Sequence, residues 1–284
     1  MSIASLFQIA SVFSVLTAFS IAHAAPAAPQ NAPQNAPRNA NRNAPKNAAE
    51  VRAKILAAGV PEGSLNRLTE YIAKNNGTKI KTDIYTCKGQ PNDASPCEES
   101  ARTYTTKELT IIDPRIVVSI DFSMESTQQR MFVIDLVTGD VKKFLVSHGQ
   151  GCGKNKWAFK FSNIKDSKQS SLGLYQTGEV YDGKYGDSIR LYGLERSNDQ
   201  AYNRDIVAHR AVYARADYIK KTNHETGKPF GRLGLSWGCP AISPEDMNKF
   251  MPVLKAGVIY DIYHPALMDV AQSGHEVKVE EPQN

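Results

Sequence analysis

Residues 131–149 read MFVIDLVTGDVKKFLVSHG. Two runs rich in β-branched and aromatic residues flank Thr138-Gly139-Asp140. A short turn-forming cluster between two such runs signals an antiparallel hairpin. The segments on either side have the same character. LTIIDPRIVVSIDF (109–122) is dense in β-branched residues, YDGKYGDSIRLYGLE (181–195) places turn formers ahead of a short alternating strand, DIVAHRAVYA (205–214) carries another strand, and VIYDIYH (258–264) a last one. Helical signals in this stretch are few. SPEDMNKFMPVLKAG (243–257) offers Ser243 as N-cap, Pro244 at the first helical position and acids in the first turn, with Pro252 set to end the helix early. The expectation is a mainly β domain over 113–264 with short helices.

The flanks differ. Residues 1–24 form a broken apolar run ending in Ala22-His23-Ala24, which reads as a cleavable signal peptide. An uncleaved anchor is the other reading, but the run is short and interrupted by Ser, Thr and Gln. Residues 25–48 are a degenerate Ala/Pro/Asn/Gln repeat with too little apolar bulk to offset its conformational entropy, so a disordered linker is expected. Residues 49–112 open with helical periodicity: Val51, Ile55 and Leu56 share one face, and after a Gly59-Val60-Pro61 break Ser64 caps a second run carrying Leu65, Leu68, Tyr71 and Ile72. This region is expected to be a helical accessory element. An acidic tail is expected over 265–284, with its end, EVKVEEPQN (276–284), disordered.

The formal net charge of +5 is modest and scattered, with no basic stripe or motif for nucleic acid. No segment after the leader is long and apolar enough to span a bilayer. No C-x-x-C, H-x-x-x-H or H-E-x-x-H spacing points to zinc, and no P-loop, dinucleotide fingerprint or G-x-S-x-G elbow appears, so neither metal nor cofactor is expected. There are four cysteines, at 87, 97, 152 and 239. Cys87 and Cys97 bracket KGQPNDASP, a turn-rich loop whose closure in an oxidising compartment would add roughly 2–3 kcal/mol. Cys152, in HGQGCGKN, and Cys239 both lie among glycines, and a bridge between them is an open alternative.

The chemistry concentrates in GRLGLSWGCPAIS, residues 231–243. Cys239 is open to four readings there: half a disulfide, a small buried hydrophobe, a metal ligand, or a nucleophile. Gly238 before it admits a backbone shape a Cβ forbids, and lets a substrate carbonyl approach backbone N–H groups. A thiol with an ordinary pKa near 8.5 needs a base. His209, on the strand Ile206-Val207-Ala208-His209, is a candidate; a satisfied, partly buried histidine is its bland alternative, and His148 is an equal candidate by type.

IVAHRAVY (206–213) followed by GRLGLSWGCPAIS resembles the murein L,D-transpeptidase catalytic domain, in the branch whose core motif reads S-x-G-C-P-A. SIDFSMESTQQRMFVIDLVTGDV, VSHGQGCG, FKFSN, SSLGLY and GDSIRLYGLE resemble that branch in the same order, over roughly 110–263. The resemblance implies a β-sandwich-like catalytic domain in which Cys239 is the nucleophile and His209 its base, oriented by a backbone carbonyl. It places Gly238 and Ser236 in the active-site turn, with Ser236 either bonding near the thiolate or serving the turn alone. Trp237 either lines the groove or packs. The commoner family motif has an arginine two residues after the cysteine. Ala241 stands there, so contact with a substrate carboxylate passes to Arg232 or Arg210. The implied activity is acyl transfer on peptidoglycan tetrapeptide stems in the periplasm or cell wall, giving 3–3 cross-links. Alternatives are an L,D-carboxypeptidase using water, and a silent peptidoglycan-binding domain. Papain-like peptidases run cysteine before histidine, and the sortase T-L-x-T-C strand is missing.

Overall fold

In the computed structural model, residues 47–90, 94–112, 114–184, 186–254, 257–274 and 276–281 are described. Among them the order is α1 (Ala48–Ala57), α2 (Glu62–Asn75), β1 (Lys79–Cys87), β2 (Arg102–Thr110), β3 (Ile116–Asp121), β4 (Met131–Asp135), β5 (Val141–Phe144), β6 (Lys160–Phe161), β7 (Gly173–Gly183), β8 (Gly186–Gly193), β9 (Val207–Arg210), α3 (Ala216–Lys220), β10 (Ala241–Ile242), α4 (Pro244–Phe250), β11 (Ile259–Tyr263), α5 (Met268–Ala271) and β12 (Val277–Lys278). The leader and linker expected at 1–48 lie outside the described residues, except Asn47 and Ala48, where Asn47 caps α1 by accepting from the Glu50 N–H.

The molecule is mainly β. Eight strands form one mixed sheet in the order β10-β9-β8-β7-β11-β3-β4-β5, with β11 parallel to β3 and β10 parallel to β9. The β4–β5 hairpin turns at Gly139, whose φ of +70° is the left-handed shape a glycine adopts freely. Chain leaving β5 returns to the far edge, where the Ser147 N–H donates to Ala241 O at 2.8 Å, so the sheet curls nearly closed.

Both faces of the central strands are covered, which explains their unbroken apolar runs. Alternate residues divide between two cores, as the period-two geometry of a strand requires. Val118, Ile120, Met131, Val133, Tyr175, Tyr260 and Ile262 enter the larger core. Val117, Phe132, Ile134, Leu174 and Ile259 meet Ile55, Val60, Leu65, Leu68 and Ile72 of the two N-terminal helices. Ser64 and Ser119 bond across that second interface at 2.7 Å, and Arg67 pairs with Glu195 at 2.6 Å.

Two expectations are corrected. The 49–112 region is helical only to Asn75; Lys79–Cys87 and Arg102–Thr110 pair as an antiparallel hairpin, with Cys87 and Cys97 joined in a disulfide. The helices pack on the main sheet as expected, sharing a core with Val117, Phe132, Ile134, Leu174 and Ile259. The end of the tail is held where it is described, β12 pairing with β6 through Val277 and Phe161, and before it Leu267, Met268 and Ala271 enter the larger core. Short apolar anchors in a polar segment were enough to hold it down. Among the described residues no helix is long and apolar enough to cross a membrane.

Candidate active site

Cys239 stands two residues upstream of β10, and His209 is on the neighbouring β9, aligned with Ala241. Both face an open cavity of about 1050 Å³, with Trp237, Ser236 and Asp205 also in its wall. Cys239 is a free thiol. Its sulfur accepts from the Val207 N–H and donates to Asp205 O, each at 3.5 Å. The residue is partly exposed and packs against the larger core. Burial pushes the thiol up to about 11, against the pull of the Val207 N–H.

The turn has to be glycine at 238. Its φ is +123°, and a Cβ would meet Gln169 O at 2.8 Å and Ile206 Cδ1 at 2.9 Å. Gly149 presses on it from below, where a Cβ would meet the Gly238 Cα at 2.8 Å. The Ser236 hydroxyl is buried in the turn; it donates to Cys239 O at 2.6 Å and accepts from the Gly238 N–H at 3.2 Å. Ser170 adds a bond to Gly238 O at 2.8 Å.

The histidines separate cleanly. His209 Nδ1 lies 3.0 Å from Arg210 O. A carbonyl only accepts, so Nδ1 carries the proton and Nε2 is the basic nitrogen. Burial lowers its pKa, partly offset by that carbonyl, which keeps the ring neutral at neutral pH. His148 is fully buried with Nδ1 2.7 Å from Arg130, and burial together with that guanidinium pushes its pKa well down. It is committed to the core and lies outside the cavity wall. Among the described residues no three metal-ligating side chains converge.

A model of the L,D-transpeptidase catalytic domain matches residues 92–263, well over half of the chain. The chain belongs to the L,D-transpeptidase catalytic-domain family. No curated protein matches it significantly. Among solved structures it is similar to the L,D-transpeptidase LdtMt1 in complex with imipenem, at 12% identity and TM-score 0.31, covering 57% of this chain and 63% of that one. It is also similar to an L,D-transpeptidase from Mycobacterium smegmatis, at 10% identity and TM-score 0.31, covering 67% and 84%. A third likeness is to an L,D-transpeptidase from Mycobacterium tuberculosis, at 13% identity and TM-score 0.30, covering 56% and 61%. The chain thus spans a little under two thirds of the length of the first of these.

In this transpeptidase domain the two arginines expected at the substrate are turned to other work. Arg210 pairs with Asp187, and Arg232 donates to Lys154 O at 2.8 Å and Leu233 O at 2.7 Å; neither lines the cavity. Trp237 is 72% exposed, so it stands at the rim rather than packing. Sequence reasoning missed Asp205. Its backbone is left-handed at φ +56° and its carbonyl accepts from the Cys239 thiol. Its carboxylate takes Arg102 at 2.5 Å, Arg190 at 3.0 Å and the Tyr85 hydroxyl. The hairpin β1–β2 is thereby tied to the cysteine, and the disulfide-closed loop puts Ser95, Pro96 and Cys97 into the cavity wall. Nothing local around Asp205 signals this, because its partners come from distant strands.

Proposed function

We propose that the protein is an extracytoplasmic L,D-transpeptidase acting on peptidoglycan stem peptides, with Cys239 as nucleophile and His209 as its base. The observation that carries the reading is a free thiol and a histidine of fixed tautomer in the wall of one cavity. The thiol is pushed up and the imidazole down, so the resting pair is neutral and proton transfer accompanies attack.

His209 Nε2 takes the thiol proton as the sulfur bonds to the carbonyl carbon of diaminopimelate, third in a tetrapeptide stem. The Cys239 N–H, which has no protein acceptor among the described residues, serves the oxyanion. The Gly238 N–H is already engaged by Ser236. Collapse breaks the amide, the imidazolium returns its proton to the departing D-Ala amine, and a thioester remains. The side-chain amine of a second stem then attacks the thioester, the thiolate leaves and regains a proton, and a 3–3 cross-link forms. Water as acceptor would give a tripeptide and make the enzyme an L,D-carboxypeptidase. The free Cys239 weighs against a silent binding domain.

The test is intact-mass analysis of the mature protein with disaccharide-tetrapeptide, beside Cys239→Ala. The expected result is a thioester adduct minus D-Ala and a 3–3 dimer, both absent from the variant. Tripeptide alone would assign the water reaction. Neither product nor adduct, with Cys239 confirmed as a free thiol, would overturn the proposal.

A further inference from the structure

The loop from Ser162 to Ser171 is held more firmly than a connection between strands requires. Asp166 and Lys168 both sit in the left-handed region, at φ +61° and +54°, which is unfavourable for residues with a Cβ. Arg204 staples the loop from inside, donating to Ser162 O at 2.8 Å, Gln169 O at 2.6 Å, and the hydroxyls of Ser171 and Ser167. Gly149 and Gly151 press against its other side. A Cβ on either would meet Lys168 O at 2.4 Å or Ser167 O at 2.3 Å, and the Gly151 N–H donates to Lys168 O at 2.9 Å.

What this backbone presents is Lys168. Its ammonium lies 4.9 Å from the centroid of the exposed Trp237 ring, and both residues line the cavity that holds Cys239 and His209. The other cations of that wall are occupied. Arg102 pairs with Asp205, Arg204 holds the loop, Lys165 pairs with Glu99, and Lys184 is also partnered. Among the described residues, Lys168 has no carboxylate or carbonyl partner. An ammonium on an aromatic face keeps its remaining donors for an anion, and the ring restrains a side chain that would otherwise lose much rotamer freedom on binding. Glu98 and Asp182 also line the cavity, so an anionic peptide is repelled wherever a cation does not offset them.

We propose that Lys168, carried on Trp237, binds a carboxylate of the donor stem peptide and selects for it. This rests on the transpeptidase reading above. It gives the carboxylate-binding role expected of Arg232 or Arg210 to a residue on a different loop.

The experiment compares the unsubstituted enzyme, Lys168→Gln and Lys168→Arg on three peptides: the tetrapeptide stem, its C-terminal amide, and its diaminopimelate side-chain carboxamide. Lys168→Gln should raise KM for the free acid about fivefold to tenfold with kcat within about twofold, and should flatten the rise of KM with salt. It should have no effect on whichever amide lacks the recognised carboxylate, which names that carboxylate. Lys168→Arg should restore most of the loss. An unchanged KM for Lys168→Gln, or the same loss on all three peptides, overturns the proposal. Binding measured by tryptophan fluorescence in a Cys239→Ala background separates the two claims. If that protein prefers acid over amide only when Lys168 is present, the recognition role stands even where no stem peptide is turned over. If it does not discriminate, the role fails even where turnover is seen.

Discussion

At the scale of single residues, the pair at the cavity rests neutral, so in the proposed reaction one proton moves from sulfur to imidazole as the sulfur attacks. Burial pushes the Cys239 thiol up to about 11, so almost no thiolate exists at neutral pH, and burial also lowers His209, so the ring is neutral and able to accept. The sign follows directly. A base with a depressed pKa stays competent until the pH falls below that value, so the acid limb of kcat/KM should have its midpoint below 6.5, the ordinary value for histidine. His209→Gln should lower kcat/KM at pH 7 by roughly 10²–10⁴. It should also change the shape of the profile, with the residual rate climbing about tenfold per pH unit toward the thiol pKa, because only the spontaneous thiolate remains to react. Stopped-assay kinetics from pH 5 to 10 would check both. A residual rate flat with pH would remove His209 from the role of base. The same residue scale explains what could be read early. Gly238, Ser236 and Cys239 are contiguous, so the turn that displays the sulfur is visible in S-W-G-C. Asp205 is placed by Tyr85 of β1, Arg102 of β2, Arg190 of β8 and the Cys239 thiol, and Lys168 meets Trp237 across the cavity wall, so no local pattern announces either.

At the scale of elements, the helices α1 and α2 are the second cover of the sheet rather than an appendage. Leu68 is fully buried between them and the strands, in the cluster that includes Phe132, Ile134 and Leu174. Leu68→Ala should therefore cost about 2–5 kcal/mol, read as a lower denaturation midpoint at unchanged slope, while the pH profile of the surviving folded enzyme keeps its shape. A loss under 0.5 kcal/mol would mean the helices are not structural. The disulfide hairpin works differently, by holding Ser95–Cys97 in the cavity wall. Replacing Cys87 and Cys97 by alanine together should lower stability by about 2–3 kcal/mol and raise KM for the stem peptide, with Cys239 still free to thiol reagents. Unchanged KM would remove the loop from substrate binding. The elements also show why reading succeeded unevenly. Strands β3, β4 and β11 are buried on both faces, so Ile116–Asp121, Met131–Asp135 and Ile259–Tyr263 read as dense apolar runs. Strands β1 and β2 are threonine-rich and largely exposed along one face, so their alternation is faint beside the helical signal of α2. The tail is fixed by a few apolar side chains, Leu267, Met268, Ala271 and Val277, too sparse to register as a pattern.

At the scale of the whole molecule, three buried histidines give the fold a shared weakness to acid. His148, His209 and His264 are each buried and each held below the ordinary histidine pKa, with burial the leading cause in every case. The unfolded chain takes up these protons as the pH falls through about 6.5, and the folded chain does not. The unfolded state then binds more protons, so stability falls with falling pH, by up to about 1.4 kcal/mol per pH unit for each histidine. Asp261 acts with the opposite sign. Burial raises its carboxyl to about 6 despite Arg67, so between roughly pH 6 and 4 the folded state holds a proton the unfolded chain releases, and this group stabilises the fold as the pH drops. Three groups outweigh one, and the histidines begin to act at higher pH. The melting temperature should therefore fall from pH 7 to pH 5, gently near pH 7, where few unfolded histidines are protonated, and more steeply once the pH passes below about 6.5. His209→Gln should make the fall shallower, because one of the three linked protons is gone. Scanning calorimetry across the range measures this, and a melting temperature constant from pH 8 to 5 would contradict it. Because acid also protonates the base, circular dichroism at each pH of the kinetic series is needed to assign the acid limb: with ellipticity unchanged while kcat/KM falls, the limb belongs to His209, and with both falling together it belongs to the fold.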